Sequence, residues 1–150
     1  MFRKILVPLD GSAPAEKVLP HVLELARTNQ AEIVLFQVPV YAYGDEAGKP
    51  NRFILPDERK QAISESKKYL NKVRSDLMRL GVRVSTVIEE GEAAPRIVEY
   101  ARQANVDLIA MFSSVRNSWH RILHGSVVEE VMRWSGKPVL LVSPPPMSTA

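Results

Sequence analysis

Apolar positions fall into two alternating rhythms along this chain. Short unbroken runs rich in branched residues recur at Arg3–Leu9, Ile33–Val38, Val82–Ile88, Val106–Met111 and Val139–Val142. Such runs predict strands buried on both faces. Between them the spacing changes to three and four residues. Ala15, Val18, Leu19, Val22, Leu25 and Ala26 form one stripe within Ala13–Asn29. Ile63, Leu70, Val73, Leu77 and Leu80 form another within Asp57–Leu80, and Gly81 is a good stop. Ile97, Tyr100, Ala101 and Ala104 mark Ala93–Ala104, and Ser126–Trp134 is a last short helix. These spacings predict amphipathic helices. Pro14 fits a first turn, but Pro20 removes a backbone donor and predicts a kink near Glu16–Pro20.

Strands alternating with helices predict an α/β fold, a parallel sheet with helices on both faces, Rossmann-like in plan. The expected strand order is 3-2-1-4-5. That order reverses between strands 1 and 4, so a ligand crevice belongs at their carboxyl ends. Asp10 ends strand 1, and the 111–126 loop follows strand 4, so both reach that crevice. The whole of 1–150 reads as one domain with no internal repeat. It carries a long proline- and tyrosine-bearing loop over 39–56 and a proline-rich tail over 144–150.

Composition removes several chemistries. There is no cysteine, so disulfides, thiol catalysis and thiolate metal sites are excluded, and a reducing cytoplasm is the expected setting. The run after Arg3 and Lys4 is too short for a signal peptide, and no window resembles a membrane span. A net charge of +3 comes mostly from Asp57–Leu80, where seven Lys/Arg face four Asp/Glu. That face reads as solvated, its basic stems covering apolar surface. No aromatic interleaving or motif points to a specific nucleic acid.

The loop before the last helix carries the candidate chemistry. Gly125-Ser126 opens that helix, where unpaired backbone N–H groups favour an anion, and Arg116 and Arg121 add positive charge. His120 and His124 are four apart but have no evident third ligand, so a metal site is not expected. Glu89, Glu90 and Glu92 end strand 3 at the sheet edge, where they solvate a turn. A phosphoacceptor receiver domain is excluded: it needs an acidic pair where this chain has Asp10 alone. Nucleophile-elbow, Walker and dinucleotide fingerprints are absent.

Three segments in order, ILVPLDGS at 5–12, GEAAPRIVEYARQANVDLIAM at 91–111 and SWHRILHGSVVEEVMRWSGKPVLLV at 118–142, resemble the universal stress protein family. The resemblance covers almost the whole chain. It implies a cytoplasmic stress-response protein, a homodimer joined through the last strand, Val139, Leu140, Leu141 and Val142. That strand is uncharged and lies at a sheet edge. Many members bind ATP through a loop of the form G-x-x-G-x9-G-[ST]. Here the first two glycine positions hold Phe112 and Val115, while Gly125 and Ser126 match. The resemblance also implies Asp10 and Val38 as adenosine contacts, and Pro8, Arg116 and Val127 complete the candidate nucleotide site.

Replacing those glycines matters physically. Glycine allows close approach and positive φ, which a β-branched residue resists. The expectation is a crevice that needs no cofactor and binds ATP or AMP poorly, in a protein acting through an unidentified protein partner without turnover of its own. Two other readings stay open: an adenine-nucleotide switch with slow hydrolysis, and an enzyme acting on another phosphorylated metabolite.

Overall fold

The structure, a computed structural model, describes residues 2–39, 55–113 and 127–143. Its strands are β1 (Lys4–Pro8), β2 (Glu32–Gln37), β3 (Arg83–Ile88), β4 (Leu108–Phe112) and β5 (Val139–Val142). They form one parallel sheet in the order β3-β2-β1-β4-β5, as expected from the alternation of elements. The helices are α1 (Leu19–Asn29), α2 (Pro56–Met78), α3 (Ala93–Gln103) and α4 (127–134).

Strand alternation divides the core into two layers. Ile5, Val7, Ile33, Leu35, Leu108 and Ala110 face α1 and α2, meeting Val22, Ala26, Leu70, Val73 and Leu77. Leu6, Val34, Phe36, Ile109 and Met111 face α3 and α4, meeting Ala94, Ile97, Ala101 and Val131. Both layers are close-packed around fully buried branched side chains, which explains why the strands read as continuous apolar runs.

Pro20 behaves differently from its sequence expectation. Ala15–Val18 forms a 3-10 turn, and α1 begins only at Leu19. Pro20 therefore lies in the first turn of α1, where its missing N–H has no intrahelical partner to lose. The chain changes helix type instead of kinking one helix. Helix α2 likewise ends before Leu80, which is exposed in the closing turn rather than in the apolar stripe. Gly81, at φ +89°, takes the left-handed conformation that ends this turn.

Asp107 ties the amino-terminal edge together. One carboxylate oxygen accepts the backbone N–H of Arg3 at 2.8 Å and of Lys4 at 2.9 Å. The Asp107 N–H donates to the Lys4 carbonyl at 2.9 Å. Both central strands thus start from one fixed point. Their opposite ends are left to form the site.

Candidate functional site

The ladders of the sheet end at different heights. Pairing of β1 with β2 runs to Pro8↔Phe36, and pairing of β4 with β5 runs to Phe112↔Val142. Pairing of β1 with β4 stops at Leu6↔Ile109. The two central strands therefore part before their outer neighbours do. Pro8, having no N–H, cannot extend a ladder toward β4. The strands thus part at the switch point, where the strand order predicts a crevice.

Asp10 sits in the exposed turn leaving β1. Its Oδ1 accepts the Ser12 N–H at 2.8 Å and the Ser12 hydroxyl at 2.5 Å. Ser12 Oγ in turn accepts the N–H of Ala15, the first residue of the 3-10 turn, at 3.3 Å, while the position before that turn is Pro14. One Asp10 oxygen is thus committed to the turn. Gly11 has φ +85°, which permits the reversal between them.

Pro8 and Val38 lie at the carboxyl ends of β1 and β2, both half-buried. Val38 packs with the α3/α4 layer, as does Val127 at the start of α4. Phe112 is the last residue of β4, half-buried, and one further hydrogen bond follows it: Ser113 N–H donates to the Val142 carbonyl at 2.8 Å. The Lys17 ammonium lies 5.8 Å from the centroid of the Phe112 ring. Phe112 has negative φ, so its backbone is ordinary strand with no turn conformation to strain. Val115, Arg116, Arg121, Gly125 and Ser126, with His120 and His124, lie outside the described residues, as do most of the 39–56 loop and the 144–150 tail.

A second feature of this edge was not apparent in the sequence. Between α2 and the ends of β1 and β2 is a cavity of about 250 Å³, lined by Asp10, Gly11, Gln37, Ala62, Glu65, Ser66 and Tyr69. Gln37 is only 7% exposed, and its Oε1 accepts no hydrogen bond among the described residues. The Tyr69 hydroxyl is buried and also lacks a partner there. Burial raises the Tyr69 pKa above the ordinary phenol range. The charges of Glu16 and Asp10 push it the same way, although Glu16 does not meet hydrogen-bond geometry. The available signal was Ser66 and Tyr69, polar residues in register with Ile63, Leu70 and Val73 on the buried face of α2.

Glu90 accepts a two-pronged pair from Arg59 of α2, with Nε and Nη2 at 2.7 and 2.6 Å. That geometry joins β3 to α2 and is structural. Among the described residues, no three His, Cys, Asp or Glu side chains are grouped to hold a metal, and no helix is long and apolar enough to cross a membrane.

Comparison with known proteins gives this edge a context. Residues 1–143 match the model of the universal stress protein family. Universal stress protein MJ0531 of Methanocaldococcus jannaschii is 30% identical over 97% of this chain and 84% of its own. Universal stress protein YxiE of Bacillus subtilis is 29% identical over 95% of this chain and 99% of its own. The solved structure of MJ0577, also from M. jannaschii, superposes with a TM-score of 0.77 at 30% identity, covering 97% of this chain and 98% of that one. A more distant Arabidopsis thaliana member was solved with AMP bound, at 17% identity and a TM-score of 0.70, covering 95% of this chain and 92% of that one. The matched sequence and the superposed fold agree, and this chain belongs to the universal stress protein family.

Proposed function

We propose that this chain is a cytoplasmic stress-response regulator that acts as a homodimer through a protein partner, and that its crevice does not hold a triphosphate tightly. The observation that carries this reading is Phe112. Where the family's ATP loop has its first glycine, β4 here is still paired with β5 at Phe112, the next N–H, of Ser113, also bonds to Val142, and the aromatic ring lies beside Lys17. A backbone still bonded to β5 is not free to wrap a phosphate chain. The ring also takes space that a close-approaching ligand needs.

The dimer rests on β5. It pairs with β4 on one side and ends the sheet on the other. Its four residues, Val139–Val142, carry no charge, whereas the opposite edge strand β3 includes Arg83, Ser85 and Thr86. An uncharged edge favours pairing with a second copy, and a two-fold axis would satisfy both copies at once.

A second reading is an adenine-nucleotide switch with slow ATP hydrolysis, using Pro8, Asp10, Val38, Arg116, Gly125, Ser126 and Val127. It draws on the AMP bound to the Arabidopsis relative and on the crevice between β1 and β4. Chromatography of small molecules released by denaturing the purified chain separates the two readings. The regulator releases no stoichiometric ATP. Release of about one ATP per chain would put the switch in front.

A further inference from the structure

The cavity between α2 and the ends of β1 and β2 differs from the crevice in position and in chemistry. Gln37 and Val38 are adjacent, so their side chains leave opposite faces of the sheet edge. Val38 packs with the α3/α4 layer, and Tyr69 of the cavity packs with the α1/α2 layer. The Asp10-Gly11 turn is the shared wall.

The cavity is acceptor-rich and negative. Asp10 and Glu65 are exposed at its mouth, and no Lys or Arg lines it among the described residues. Gln37 Oε1, buried with no hydrogen-bond partner, lies inside. A buried polar atom without a partner is costly, so such an atom is normally satisfied by water or a ligand. The Tyr69 hydroxyl adds a group that both accepts and donates. At about 250 Å³ the space lies just below the range typical of pockets for drug-sized molecules, which suits a small ligand.

We propose that this cavity is a binding site for a small organic cation with several N–H donors, of the guanidinium class. The planar cation would donate to Gln37 Oε1 and Tyr69 Oη inside, and to the carboxylates of Asp10 and Glu65 at the mouth. The two carboxylates set the sign of the ligand, and the amide and phenol set its demand for donors. Binding there would brace α2 against the turn after β1, so occupancy would be felt at the neighbouring crevice.

The test is a titration of the full chain with methylguanidinium, followed by two-dimensional amide NMR, with neutral methylurea as the shape-matched control. Methylguanidinium is expected to shift the signals of Gly11, Gln37, Ser66 and Tyr69 saturably, with methylurea much weaker. Gln37→Leu removes the acceptor at similar size and should weaken binding about tenfold. Tyr69→Phe gives a second test if Gln37→Leu fails to fold. A response that does not saturate, or that spreads evenly over the surface, would overturn the site and leave water as the occupant. Equal binding of methylurea would overturn the cationic class. Binding unchanged in whichever variant folds would overturn the assigned contacts.

Discussion

The Lys17 ammonium lies 5.8 Å from the centre of the Phe112 ring, joining the 3-10 turn before α1 to the last residue of β4. The two residues are distant in sequence and meet beside the switch point. A cation over an aromatic face contributes about 0.5–1 kcal/mol at an exposed site. The larger consequence is positional, because the pair holds an aromatic side chain at the carboxyl end of β4, beside the point where β1 and β4 part.

Phe112→Gly should therefore destabilise the chain by about 2–3 kcal/mol, combining the loss of a half-buried ring with a glycine in a strand. Lys17→Met should lose no more than about 1 kcal/mol. Urea unfolding of the three proteins checks this. Equal losses from both substitutions would mean that the ring contributes little beyond its pairing with Lys17.

Asp107→Ala removes one acceptor from two backbone donors, the N–H groups of Arg3 and Lys4. The expected loss is about 1–3 kcal/mol, with Asp107→Asn losing less because a neutral oxygen still accepts. Amide exchange should accelerate first at Arg3 and Lys4. Unchanged protection there would contradict the pinning role.

Tyr69 gives a pH prediction. Its folded pKa is raised above its unfolded value near 10, by burial first and then by Glu16 and Asp10. Above pH 10 the unfolded chain gives up this proton while the folded chain keeps it. The native state then binds more protons, so stability falls as pH rises. The contribution is complete below pH 10 and is lost progressively above it. Tyr69→Phe should flatten this alkaline decline. Part of the slope should persist, because burial also raises the pKa of Tyr100. Denaturant midpoints measured from pH 8 to pH 11 check it.

Leu141 is 37% exposed on the uncharged edge strand β5. Leu141→Lys should halve the sedimenting mass and leave urea unfolding of the monomer within about 0.5 kcal/mol of its parent. An unchanged mass would contradict pairing of two copies through β5. The exposed Trp134 and Met132 of α4 would then be the next surface to substitute.

Much of this architecture could be read directly from residue patterning. Each strand of the parallel sheet is buried on two faces, so each appears as an apolar run, and alternation with helices led to the observed order. Asp10 and Phe112, the latter within the 111–126 loop, come to the carboxyl edge by the same logic, whereas Val38 comes from the family resemblance. Pro20 was misread because a 3-10 turn and an α-helix share apolar spacing over so few residues. Gln37 escaped notice for a different reason. It follows Ile33–Phe36 as one polar residue at the end of a strand, and nothing local distinguishes a solvated glutamine there from a buried one. Its burial depends on α2, whose Ser66 and Tyr69 arrive from about thirty residues away in the chain.

The most direct measurement is titration calorimetry of ATP into the wild-type chain and into the double variant Phe112→Gly/Val115→Gly, with folding of both confirmed by circular dichroism. The expected result is no saturable heat from the wild type and binding in roughly the micromolar range by the double variant. Micromolar ATP binding by the wild type would contradict the reading of Phe112 as a barrier to the phosphate chain and make the protein a nucleotide switch.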